Sequence, residues 1–384
     1  MPTSHPLQPM LLRSLVALAI ACAVVPAAAP AAAQQLPVQA IAGESPVYGA
    51  AMDRARALVR DSMTANGIPG ISVAVAVDGK VVWTEGFGFA DVENRVPITP
   101  ETRMRIGSVS KSVTSAAVGL LVQEGKLDLD APVQRYVPSF PAKPQPISTR
   151  QLAGHLAGIR HYRGNEMLSA RPYESVTTSL DIFRSDTLLH PPGSKYFYSS
   201  YGWNLLSAAV EGAAGQPFLT VMRQRVFEPL GLRSIVAEHM DSLIPYRAHY
   251  YDRGRGGALR NAPYVDNSYK WAGGGFISNT EDLVRFGSAL LQPGFLEARA
   301  LTTLFTPMRT TSGEDTHYAI GWRVDTDSAG RREIAHSGGS VGANAFLVLY
   351  PEQKVVVAIL RNTTARFVGG GTGGRQIAAL FMPR

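Results

Sequence analysis

The chain has 384 residues, of which 45% are hydrophobic and 17% charged, with 37 glycines, 26 prolines and a formal net charge of +7. Such hydrophobic content is enough for a large core and excludes a disordered polymer, and the positive charge is spread without a Lys/Arg block or nucleic-acid motif, which argues against a nucleic-acid partner. The one cysteine, Cys22, excludes disulfide stapling.

Residues 1 to 33 read as a secretory signal peptide. Arg13 is their one cation, an apolar run from Leu15 to Val25 ends at Pro26, and small residues lead to an Ala-x-Ala site that closes at Ala33. The run is too short to span a bilayer, so no stable membrane insertion is expected after cleavage. The mature chain, 34 to 384, is expected as one large domain in the periplasm or outside the cell, without a thiol and at +6, the value left when Arg13 is subtracted from +7. Acylation of Cys22 is the alternative, although Ala19-Ile20-Ala21 matches a lipoprotein leader poorly.

Apolar residues recur at helical spacing from Val47 to Ala65, and Asn66-Gly67-Ile68-Pro69-Gly70 stops that helix. Two β-rich runs follow, Ile71 to Val77 and Lys80 to Phe87, joined by the hairpin signal Asp78-Gly79. Ser108 to Glu124 reads as a buried helix ended by Gly125. Residues 127 to 320 mix short helices (Tyr201 to Ala213, Phe218 to Val226, Glu281 to Leu291) with Pro- and Gly-rich loops. The β pattern then returns in Arg332 to His336, Ala343 to Tyr350 and Lys354 to Arg361, before a short helix from Arg375 to Phe381. The simplest assembly is an α/β fold of the α+β type: an antiparallel sheet built from both chain ends, flanked by helices, with a mostly helical subdomain inserted at about 127 to 320.

Ser108-Val109-Ser110-Lys111 sets a hydroxyl and an amine three positions apart at a helix start, on one face and within reach of each other. A neutral Lys111 can take the serine proton, and burial with nearby positive charge favours the neutral amine. Downstream, Tyr198-Ser199-Ser200 offers a phenol for proton relay, with Tyr196 and Tyr201 as rivals. His336-Ser337-Gly338-Gly339 closes a predicted strand, where glycines let backbone N–H groups approach a substrate carbonyl and His336 sits over the same cleft. His155, His161, His190, His239, His249 and His317 read as structural histidines. Gly338-Gly339-Ser340-Val341-Gly342 matches the nucleophile-elbow pattern, but a strand rather than a helix follows it, so Ser340 is not expected to act. No motif spacing calls for a metal, nucleotide or other cofactor.

With these residues the sequence resembles the serine β-lactamase-like family of class C β-lactamases, penicillin-binding D-Ala-D-Ala carboxypeptidases and related esterases. Gly67-Ile68-Pro69-Gly70, Asp91-Val92-Glu93-Asn94-Arg95-Val96-Pro97, Gly125-Lys126-Leu127-Asp128-Leu129-Asp130, Gly158-Ile159-Arg160-His161-Tyr162 and Tyr264 to Phe276 resemble its mitochondrial branch of serine proteases, and the likeness covers about residues 50 to 360. By motif, Ser108 and Lys111 match Ser-x-x-Lys, Tyr198 matches the Tyr of Tyr-x-Asn, and His336 to Gly338 match Lys-Thr-Gly. The resemblance implies an acyl-enzyme on Ser108 formed without a cofactor, an oxyanion hole from the N–H groups of Ser108 and Gly339, and a small peptide or ester as substrate. Ser200 stands where class C enzymes carry Asn and His336 where they carry Lys, departures that weaken β-lactam hydrolysis. β-Lactamase, D-Ala-D-Ala carboxypeptidase and a non-hydrolytic penicillin-recognising sensor are the alternatives.

Overall fold

In the computed structural model, which describes residues 38–40, 46–365 and 372–383, Asp78 and Gly79 both take positive φ (49° and 78°) and close the expected hairpin. The signal segment, its cleavage site and Cys22 lie outside the described residues. The hairpin strands are β2 (Gly70–Val77) and β3 (Lys80–Asp91), and β1 (Val38–Ala40) pairs with β3. From the far end of the chain come β4 (Arg323–Thr326), β5 (Arg332–Ser340), β6 (Ala343–Tyr350) and β7 (Val355–Arg361). The sheet order is β1-β3-β2-β7-β6-β5-β4 with every pair antiparallel, and Val96–Pro97 adds a short strand to β3. The two chain ends therefore meet at β2 and β7.

Side-chain alternation sends each strand's residues to two different cores. Ile71, Val73 and Val75 of β2, with Val355, Val357 and Ile359 of β7, meet α1 (Gly49–Asn66) and the C-terminal helix, residues 372–381. Ala74 and Ala76, with Val356, Ala358 and Leu360, face the larger core beneath the helical region. A sheet covered on both faces needs no polar alternation, which is why these strands read as unbroken apolar runs. The apolar stripe of α1 is Met52, Ala55, Val59 and Met63, and the helix ends at Gly67 in the left-handed conformation (φ 54°) with Ile68 N–H donating to the Met63 carbonyl at 3.0 Å.

The central helix α2 (Val109–Gln123) is buried almost all round, with its hydroxyls satisfied individually. Ser112 donates to the Gly321 carbonyl (2.7 Å), Thr114 to that of Ala272 (3.2 Å), and Ser115 accepts from the Trp322 indole (3.0 Å). The helix Ser200–Ala214 (α3) packs against it, whereas Thr280–Leu291 (α4), capped by Asn279, lies on the sheet against β2 and β7. Between residues 127 and 320 the structure also contains strands that the sequence does not announce: Val236–Ala237 and Phe276–Ser278, in a small sheet with Met104–Arg105, and the pair Tyr251–Arg253 and Leu259–Asn261. At two or three residues each they are too short to show a period. Two expected boundaries move. β3 runs on to Asp91 through Gly88 at φ 74°, and β5 continues past His336 through Ser337, Gly338, Gly339 and Ser340, because all of these stay in register with β6.

Candidate active site

Ser108 sits immediately before α2, half-buried, with Gly107 behind it at φ 49°. Glycine is required there for a second reason: a Cβ on Gly107 would lie 2.6 Å from the Gly339 carbonyl oxygen. Gly338 has the same constraint from the other side, since its Cβ would meet the Ile106 carbonyl oxygen at 2.0 Å. The backbone of β5 is thus laid flush on the residues that lead into Ser108. β4 pairs with β5 only as far as Ala335, so from His336 onward this edge of β5 is not taken up by β4 and lies beside the start of α2. Ser337 and Gly339 are exposed on it, and a Cβ at Gly339 would meet nothing within 4 Å.

Lys111 is one turn further along α2 and fully buried. Its Nζ is 3.3 Å from Ser108 Oγ, 3.1 Å from Ser200 Oγ and 2.6 Å from the Gly273 carbonyl oxygen. None of these partners is a carboxylate. Burial, reinforced by repulsion from Lys270, holds the Lys111 amine well below the ordinary lysine range.

Tyr198 places its ring centroid 4.9 Å from Lys111 Nζ and its hydroxyl against Ser108 and Ser200. Burial pushes its phenol up, so it is a proton donor at neutral pH. Tyr201, a rival by sequence, turns away to Glu166 (2.8 Å), and Tyr196 packs against His155 and Tyr318. Ser200 opens α3 and touches Lys111.

Two histidines read from the sequence as structural stand in the site. His155 Nδ1 accepts from Ser199 N–H and His161 Nδ1 accepts from Ser200 N–H, both at 3.1 Å, so the pair satisfies donors at the start of α3 and fixes the backbone that carries Tyr198. The rings also flank Tyr198, with centroids 4.2 Å (His155) and 5.6 Å (His161) away. Sequence reasoning also missed Tyr162, whose hydroxyl reaches Ser200, and Lys270, which repels Lys111. The run Gly158-Ile159-Arg160-His161-Tyr162 was the available signal for the first of these, and Tyr264 to Phe276 for the second.

The expectation that His336 sits over the cleft is corrected. Its ring is buried, 5% exposed, with Nδ1–H donating to the Ser337 carbonyl (2.6 Å) and Nε2 accepting from the Tyr318 hydroxyl (2.8 Å). Burial and the Lys111 charge hold it down to about 3, so it is neutral. The reason is alternation, which turns residue 336 inward and leaves Ser337 and Gly339 facing out. Ser340 is 3% exposed, paired with Ala343 across a turn between two strands, and is no nucleophile elbow.

The Beta-lactamase family model matches residues 55–380. The chain is 35% identical to the human serine beta-lactamase-like protein LACTB, mitochondrial, over 80% of this chain and 74% of that protein. Among solved structures, the octameric penicillin-binding protein homologue from Pyrococcus abyssi superposes with a TM-score of 0.74 at 25% identity, covering 84% of this chain and 76% of that one. The D-amino acid amidase from Ochrobactrum anthropi, solved with L-phenylalanine amide, shares the fold with a TM-score of 0.75 at 22% identity, over 86% of this chain and 98% of that one.

Proposed function

Because the chain belongs to the Beta-lactamase family of serine hydrolases, we propose that it is an exported hydrolase that cleaves small peptides or esters through an acyl-enzyme on Ser108. The observation that carries this reading is the fully buried Lys111 amine, 3.3 Å from Ser108 Oγ and, among the described residues, without a carboxylate partner. Ser108 Oγ attacks the substrate carbonyl while its proton passes to Lys111 Nζ. The oxyanion takes the N–H groups of Ser108 and Gly339. Tyr198 gives its proton to the leaving group and is reprotonated from Lys111, so the net transfer runs from Ser108 to the departing amine or alcohol. Water then cleaves the ester with Lys111 as base.

The shorter Ser200 and the neutral His336 favour peptides and esters over β-lactams. Ser200 has no amide to donate to the acyl side-chain carbonyl of a β-lactam, and His336, with both ring nitrogens engaged, has no donor left to replace it. Export rests on residues 1 to 33 and places the mature N-terminus at Gln34. Turnover of the purified mature chain on ester, L-peptide, D-amino-acid peptide and β-lactam panels tests the activity, and N-terminal sequencing tests the export. An enzyme fast only on cephalosporins contradicts the first, and a cytosolic uncut chain or a lipidated Cys22 contradicts the second.

A further inference from the structure

Lys270 is an amine with no assigned work in the acyl-transfer steps above, and it is 3% exposed. Its segment wraps the start of α2: Gly273 receives the Lys111 Nζ hydrogen bond and Ala272 that of Thr114. A Cβ on Gly274 would lie 3.7 Å from the Gly107 carbonyl carbon and 3.8 Å from Lys270 Cδ, so the stem of Lys270 runs close to the residue that precedes the nucleophile. The ammonium lies over the rings of Tyr269 (5.1 Å to the centroid) and Tyr162 (5.6 Å), and among the described residues it has no hydrogen-bond acceptor. Tyr162 reaches Ser200, which in turn touches Lys111.

The carboxylate that acts on Lys270 from within the protein, Glu238, gives its Oε2 to Arg105 (2.7 Å) and to Asn267, and its buried Oε1 makes no hydrogen bond to Lys270. A buried ammonium that lies over aromatic faces without a hydrogen-bonded carboxylate is under-compensated, and an entering carboxylate supplies the missing acceptor together with an opposite charge in contact. The position that matches the Lys of Lys-Thr-Gly cannot supply that charge here, because His336 is neutral and spends both nitrogens inside the protein.

We propose that Lys270 is the specificity-determining cation of this cleft and recognises a free carboxylate on the substrate. The inference rests on Ser108 being the nucleophile. Burial and the neighbouring Arg105 hold Lys270 down to about 7, and a bound carboxylate stabilises its charged form.

The test is a pair of peptide esters that differ only in a free carboxylate against its primary amide, assayed with the full mature chain and with Lys270→Met and Lys270→Arg. The wild type is expected to favour the carboxylate by roughly tenfold or more in kcat/KM, mainly through KM. The preference falls to near one in Lys270→Met and is partly kept in Lys270→Arg. An unchanged preference in Lys270→Met, or none in the wild type, overturns the inference. Should Lys270→Met not fold, a wild-type measurement decides: phenylacetate is expected to slow fluorophosphonate labelling and phenylacetamide is not, and equal effects of the two refute the proposal. Absence of any Ser108 labelling in the wild type refutes instead the reading on which it rests.

Discussion

The Tyr318 hydroxyl donates to Nε2 of His336 at 2.8 Å, and that bond decides what kind of residue His336 is. With Nδ1–H already given to the Ser337 carbonyl, the ring is locked as a neutral tautomer that bridges a loop and β5.

Stability should therefore depend on pH in a particular direction. His336 is held down to about 3 and His161 to about 4, whereas an unfolded histidine titrates near 6.5. Between those limits the unfolded chain binds protons that the native one does not, so stability falls as pH drops from about 6.5 towards 3. Urea unfolding at pH 7 and pH 4.5 measures this. His336→Asn, whose amide carries both donor and acceptor groups without titrating, should flatten the fall. Tyr318→Phe leaves Nε2 unsatisfied in a buried position and should cost about 1–3 kcal/mol at pH 7.

Activity should be lost as Lys111 becomes protonated, on an acid limb set by an amine held below the ordinary lysine value. The sign of Lys270's influence can be tested on the same curve. It lowers the Lys111 pKa by repulsion, so Lys270→Met should move the limb to higher pH for a neutral ester. Lys111→Arg, which cannot shed its proton, should reduce kcat/KM by about 10²–10⁴. A pH profile unmoved by Lys270→Met contradicts the electrostatic account.

Gly338→Ala should damage the protein more than Gly339→Ala does. The first Cβ meets the Ile106 carbonyl oxygen at 2.0 Å and forces β5 off the start of α2, at a cost of about 1–3 kcal/mol. The second projects into open space, so its thermal midpoint should stay at the wild-type value. Thermal unfolding of both variants reads this, and equal destabilisation would argue against the flush contact.

Tyr198→Phe keeps the ring but removes the proton for the leaving group. Amide substrates, whose leaving amine needs that proton, should lose on the order of 10²-fold in kcat, and p-nitrophenyl esters much less. Equal losses on both would remove Tyr198 from the role of acid.

Much of the fold was legible because the relevant patterns are local. Asp78-Gly79 specifies a turn that needs two positive φ angles, and Asn66-Gly67 ends α1 because glycine takes the left-handed cap. Ser108 and Lys111 are three residues apart at the edge of one helix, so a single turn of geometry brings them together. The rest of the site has no such local signature. His155, His161, Lys270 and Tyr318 come from distant segments to act on Tyr198, Lys111 and His336, and a lone histidine or lysine carries no periodic mark of where it will pack. The neutrality of His336 depends on Tyr318, and the length of β5 depends on pairing with β6, which a Gly-Gly sequence read alone does not suggest.

The central claim is that Ser108 is the one activated serine, and intact-mass and peptide-mass analysis after fluorophosphonate treatment tests it most directly. The account predicts one adduct, mapped to Ser108, absent in Ser108→Ala and retained in Ser340→Ala. An adduct that persists in Ser108→Ala, or one that maps to Ser340, would contradict it.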